Sequence, residues 1–156
     1  MNNSDLAEKV VVITGGSRGI GLAAAKSLGA LGATVVLVGR NPDNLNAAIS
    51  ALLDQGVDAD SICVDVSDGA KVLEKVSQHS LAPQADILIN SAGVMSEKMA
   101  KTLRTTSEEW HRVMGTNLDG TFNMISAIGP QMAQRKSGRI INVSACLGRF
   151  SGPGLA

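Results

Sequence analysis

The sequence predicts an α/β protein built on a doubly wound parallel sheet. Three observations carry that expectation. Short apolar runs alternate with longer segments of helical spacing along the chain. The runs are apolar throughout instead of at every second residue, as strands buried on both faces require. Each run ends in glycine or polar residues, the composition of a strand-to-helix turn.

The elements follow in order. Val10-Val11-Val12-Ile13 is a β-branched run that ends in Thr14-Gly15-Gly16, a strand and its turn. From Gly19, the apolar residues Ile20, Ala24, Leu28 and Leu31 recur at helical spacing, and Gly32 ends that helix. Thr34 to Val38 is a second strand. Asn41-Pro42 starts the next helix, with Pro where its missing N–H costs nothing. Leu45, Ala48, Ile49 and Leu52 form the stripe of that helix, and Gly56 closes it. Ile62-Cys63-Val64 is a third strand ending at Asp65-Val66, followed by a helix over 67–79 with Val72 and Val76 inward. Asp86 to Ile89 is a fourth strand, ending in Asn90-Ser91-Ala92-Gly93. Thr106-Ser107-Glu108-Glu109 is a capping box. It opens a long helical segment to about Lys136, weakened by Gly115, Gly120 and Gly129. Ile140 to Val143 is a fifth strand, and 144–156 reads as loop.

Composition narrows the partners. Of the 156 residues, 14 are basic and 14 acidic, so the net charge is zero and nucleic acid is excluded as a main partner. The two cysteines, Cys63 and Cys146, are too far apart in sequence for a CxxC metal site or a disulfide framework. His79 and His111 read as surface or helix-end residues. No apolar run is long enough to cross a bilayer, and the first residues lack the pattern of a signal peptide. The expectation is a soluble, cytoplasmic protein with a flexible tail over 1–7 and one domain over 8–156.

In a doubly wound sheet, ligands bind outside the carboxyl ends of the strands. Here the ends are Thr14–Gly21, Gly39–Arg40, Asp65–Val66, Asn90–Gly93 and Ser144 onward, and their agreement in phase predicts one continuous site. Gly15, Gly16, Ser17, Arg18, Gly19, Ile20 and Gly21 join a strand to a helix. Glycines there allow a sharp turn and close approach of a pyrophosphate to free N–H groups at the positive end of a helix.

The spacing Gly-x-x-x-Gly-x-Gly resembles the cofactor motif of the classical short-chain dehydrogenase/reductase family. Asp65-Val66 is similar to that family's adenine-contacting pair. Asn90-Ser91-Ala92-Gly93 is similar to its Asn-Asn-Ala-Gly element, with Ser at the second place. Asn117, within Met114-Gly-Thr-Asn-Leu, matches the Asn of its catalytic tetrad. The resemblance covers the chain after the tail and implies a Rossmann-type sheet, here truncated after strand five, with the order 3-2-1-4-5. It implies cofactor contacts at Gly15 to Gly21, Asp65, Val66, Asn90, Ala92 and Gly93. It also implies a kinked helix at Asn117, a homo-oligomer, and a small carbonyl or alcohol substrate that exchanges a hydride with a nicotinamide cofactor, as in a 3-oxoacyl reductase.

Charge selects the cofactor. An enzyme preferring NAD usually places an acid at the end of strand two. Here Gly39 is followed by Arg40, and Arg18 sits in the phosphate loop, so two guanidinium groups with no opposing carboxylate favour NADP over NAD. Asp65 is alternatively a helix-start acid, and Asn90 alternatively a tie between loops.

The chain contains no Tyr. The family's Tyr-x-x-x-Lys, its general acid/base, falls just past Ala156 when counted from Ser144 or Ala145, so the expectation is a domain incomplete at its C-terminus. The catalytic Ser is open in register. Either Ser144 serves, or the place belongs to Ala145 and the hydroxyl is absent; the second is preferred. Two functions stand: the NADP-binding part of a carbonyl reductase, inactive as this chain alone, or a non-catalytic cofactor-binding or interaction protein.

Overall fold

A computed structural model of the chain describes residues 5–96 and 104–145. Strands β1 (Val10–Thr14), β2 (Thr34–Gly39), β3 (Ala59–Cys63), β4 (Ile87–Asn90) and β5 (Arg139–Asn142) form one sheet in the order β3-β2-β1-β4-β5. All pairs are parallel, with Val12 opposite Val36 and Leu88, and Asn90 opposite Asn142. The order reverses between β1 and β4, which opens the crevice that doubly wound sheets use for ligands. The Rossmann-type fold expected from the sequence is present.

Helices α1 (Gly19–Gly29) and α2 (Pro42–Leu53) cover one face, and α3 (Gly69–Gln78) covers the other with α5 (Gly120–Gln134). Successive residues of the central strands feed opposite layers. Val12, Val36 and Leu88 pack with Val72, Val76, Met124 and Ile128. Val11, Ile13, Val35 and Leu37 pack with Ala25, Leu45, Ala48 and Leu52. The uninterrupted apolar strands are the sequence imprint of this two-sided burial. Each fully buried Leu, Ile or Val contributes about 1.5–3 kcal/mol of transfer free energy.

Boundaries differ from the sequence expectation by small, explicable shifts. The first helix stops at Gly29, and Gly32 stands in the following turn at φ +95°. Strand β3 starts at Ala59, ahead of the apolar run, because it is an edge strand and only Ile62 among its residues is buried. Helix α3 starts after Asp68, whose carboxylate accepts from the Lys71 N–H at 3.1 Å. Ser67, expected inside that helix, is engaged with Asp65 instead.

The long helical segment is present as α4 (Ser107–Met114), a π-helical turn over Gly115–Asp119, and α5. Thr106 caps α4 by accepting from the Glu109 N–H at 3.2 Å, and the Glu109 carboxylate receives the Arg112 guanidinium at 2.7 and 2.9 Å. His79 is a helix-end residue as expected, but it is largely buried. Its Nδ1 accepts from the N–H groups of Leu81 and Ala82, and its Nε2 lies 3.2 Å from Asp60, a neighbour that sequence spacing conceals.

Candidate functional site

A cleft of about 480 Å³ runs along the carboxyl ends of the strands, within the range of small-molecule sites. Of the sequence-predicted residues, Gly15, Ser17, Arg18, Gly19, Ile20, Arg40, Asp65, Val66, Ala92 and Gly93 line it. They come from the ends of β1, β2, β3 and β4, so separate stretches of sequence meet in one groove.

The floor is the β1–α1 turn. Gly15 adopts φ +64°, and a Cβ there would stand 3.0 Å from the Ala92 backbone. Gly19, at φ +56°, is the first residue of α1; nothing lies within 4 Å of where its Cβ would be. The start of α1 is therefore open to the cleft. No side chain caps it from Arg18, and no acid occupies its first turn. Unfilled N–H groups, the positive helix end and an open glycine form a cradle that fits a pyrophosphate. Gly16 and Gly21 do not line the cleft. Their hydrogens face Leu37 and the Gly15 carbonyl, where a Cβ would come within 2.7 and 2.5 Å, so they make the turn tight enough to present the others.

The β4 side is tied to this turn by a single hydroxyl. Thr14 Oγ1 accepts from the N–H groups of Ser91 and Ala92, both at 3.0 Å. Asn90, also expected in the site, is buried in the sheet and does not line the cleft. Its Nδ2 donates to Asn142 Oδ1 at 2.9 Å, while its Oδ1 has no partner. The sequence left open a tie between loops; the contact found is instead a side-chain tie between the paired strands β4 and β5.

The β2 and β3 ends carry the charge. Arg40 Nη1 lies 3.9 Å from Asp65 Oδ2. This corrects the expectation that no carboxylate opposes the guanidinium: Asp65 is distant in sequence, but parallel pairing of Gly39 with Cys63 brings the two strand ends together. Asp65 Oδ1 accepts from the Ser67 N–H at 2.9 Å and its hydroxyl at 2.7 Å. Burial pushes the Asp65 carboxyl up, but the Ser67 bonds and the Arg40 charge outweigh it and hold it below the usual carboxylate range.

Asn117 lies on the π-helical turn and outside the cleft lining. Its Oδ1 accepts from the Val94 N–H at 2.8 Å and its Nδ2 donates to the Val94 carbonyl at 2.9 Å. It thereby fixes the strand-end loop beside Gly93. A π-turn inside a helix often marks a functional site. Ser144 and Ala145 are exposed beyond β5 and do not line the cleft, although Val143 does. Of the loop expected over 144–156, residues 146–156 lie outside the described residues.

The cleft also includes Asn41, Asn44, Val94 and Thr116, which sequence reasoning did not assign to the site. Asn41 carried a usable signal: it is the cap of α2, accepting from the Asn44 N–H at 2.8 Å, and it directly follows a strand end. Thr116 reaches the cleft only through the packing of the π-turn. Among the described residues, no cluster of His, Cys, Asp or Glu could hold a metal ion. No helix among them is long and apolar enough to cross a membrane.

Comparison with known proteins gives concordant results. Residues 9–156 match the short chain dehydrogenase family. Over 147 residues the chain is 35% identical to gluconate 5-dehydrogenase of Gluconobacter oxydans, covering 93% of this chain and 56% of that protein. It superposes with a TM-score of 0.90 and 32% identity on a 3-oxoacyl-[acyl-carrier protein] reductase with bound NAD from Brucella melitensis, covering 99% of this chain and 60% of that one. A metagenomic short-chain oxidoreductase in complex with NADP gives a TM-score of 0.90 and 34% identity, over 98% of this chain and 69% of that one. The chain thus spans 56% and 60% of the length of the first two.

Proposed function

The chain belongs to the short-chain dehydrogenase/reductase family, and from that premise we propose that it binds NADP(H) as the cofactor half of a carbonyl or alcohol oxidoreductase of the 3-oxoacyl reductase type. The observation that carries the proposal is the uncapped, open start of α1 facing Arg18 and Arg40 across one cleft. The α1 N–H groups would hold the pyrophosphate, Asp65 and Val66 the adenine, and Arg40 and Arg18 the 2′-phosphate. Bound there, the cofactor supplies a hydride to a carbonyl carbon or removes one from an alcohol. Asn117 fixes the Val94 backbone beside the nicotinamide end, and Ser144 is the hydroxyl nearest in sequence to the place of the family's Ser. A second copy of the chain is the proposed protein partner.

One observation favours a second reading, cofactor binding without turnover. The 156 residues contain no Tyr, so the family's general acid/base is not among them. Such a group contributes about a hundred- to ten-thousand-fold. Titration of the purified chain with NADPH and NADH, read by nicotinamide fluorescence, tests the binding: NADPH is expected to bind more tightly. Mixing with a simple ketone and NADPH tests the chemistry, and no turnover is expected. Reduction of the ketone by these 156 residues would refute the need for that Tyr.

A further inference from the structure

The segment that carries Asp65 is held against the π-turn and α5 from three directions. Val66 occupies the notch left by Gly120, where a Cβ would come within 2.5 Å of Val66 Cγ2. Ser67 lies over Gly115, its Cβ 3.5 Å from where a Cβ on that glycine would stand. Asn123, on the first turn of α5, donates from Nδ2 to the Val66 carbonyl at 2.9 Å across 57 residues of sequence.

The third contact has a particular geometry. The Val66 carbonyl and the Ser67 N–H belong to one rigid peptide plane. The carbonyl is held by Asn123, and the N–H at the opposite edge donates to Asp65 Oδ1 at 2.9 Å. Holding one edge of the plane aims the other. With Oδ1 taken by Ser67, Oδ2 is left toward Arg40 and the cleft. We infer that Asn123 is a positioning residue for base recognition: through the 66–67 peptide it turns the Asp65 carboxylate so that Oδ2 meets the amino group of an adenine. This rests on the proposed NADP(H) binding and on Asp65 as its base contact. Asn123 itself does not line the cleft.

The base itself provides the test. Adenine offers an amino donor to a carboxylate; hypoxanthine offers a carbonyl oxygen at the same place, which the carboxylate repels. The measurement is the ratio of dissociation constants of the full chain for nicotinamide hypoxanthine dinucleotide phosphate and for NADP. A general loss of stability weakens both and leaves the ratio unmoved. One charge-assisted hydrogen bond supplies a preference on the order of tenfold for adenine, and Asn123→Leu, similar in shape but without a donor, is expected to bring it to about threefold or less. If that variant does not fold, Asn123→Ser, too short to reach the carbonyl, carries the same measurement. An unchanged ratio in a folded variant that binds NADP overturns the inference and leaves the cofactor assignment standing. No binding of either dinucleotide by the unaltered chain overturns the assignment and the inference with it.

Discussion

Arg40 is the residue on which the proposed choice of NADP over NAD turns. It stands at the cleft end of β2, its side chain 60% exposed, with Asp65 3.9 Å away. An exposed pair of this kind is worth little and gives way readily to a phosphate. Replacing Arg40 with Ala is therefore expected to weaken NADPH selectively. A charge-assisted contact is worth about 1.5–3 kcal/mol, and solvent screening at Arg40 places the loss at the low end, about tenfold in Kd. Equal losses for NADPH and NADH in a fluorescence titration would remove Arg40 from the 2′-phosphate site. The arginine itself was legible from sequence, since Gly39 stands where the acid is expected and Arg40 follows it. That Asp65, itself expected in the site, would stand beside Arg40 was not, because the pair is made by β2–β3 register and not by spacing.

At the scale of elements, the π-turn between α4 and α5 matters most. Its extra residue allows Asn117 to pair with both backbone groups of Val94. Asn117→Ala leaves an N–H and a carbonyl without that partner. Both bonds are exposed, so water recovers part of the loss, and a destabilisation of about 1 kcal/mol is expected in urea unfolding. Loosening of the Val94 loop should also weaken nicotinamide binding. Unfolding and binding both identical to the unaltered chain would show that the pair is incidental. The sequence marked this region by Asn117 within Met114-Gly-Thr-Asn-Leu, for which the family resemblance implies a kink, and by Gly115 and Gly120 inside a helical pattern. Gly120 is there because Val66 packs against it, a contact between residues far apart in the chain.

Two expectations concern the whole molecule. Asp86 accepts from the Val10 N–H at 3.0 Å and from Lys9 Nζ at 3.1 Å, linking the start of β1 to the start of β4. Burial pushes its carboxyl up, but those bonds and the Arg135 charge outweigh it and hold it below the ordinary value. The folded protein then binds fewer protons than the unfolded chain in the acid range. The contribution is complete at neutral pH and is lost as pH falls below about 4. In thermal unfolding, Asp86→Asn should lower stability at neutral pH and flatten its decline in acid. An unchanged acid limb would exclude Asp86 as a source of it. The second expectation is self-association. Strand β5 is one edge of the sheet among the described residues, and Ile140, Ile141 and Val143 are 40%, 49% and 43% exposed. Phe122 and Leu118 on the helical segment are exposed as well. Apolar edges and patches of this kind associate. Sedimentation should show a mass that rises with concentration, and a concentration-independent monomer would contradict it.

The sequence by itself determined the fold class, the strand order through the family resemblance, and the glycine-rich turn between β1 and α1. These rest on local signals: apolar runs long enough to be buried on both faces, and glycines whose conformation the turn requires at Gly15 and Gly19. Ends of elements were off by a residue or more where an edge strand or a cap, and not hydrophobicity, set the limit, as at Ala59 and Asp68. Only the tertiary structure decided which glycines face the cleft and which face the core, that Asn90 ties β4 to β5, that Arg40 meets Asp65, and that Asn123 grips the loop beneath that carboxylate. Each of these is a contact between residues distant in the chain. Periodicity records which residues are buried, whereas the partner of a polar side chain is fixed by register and by packing across the sheet.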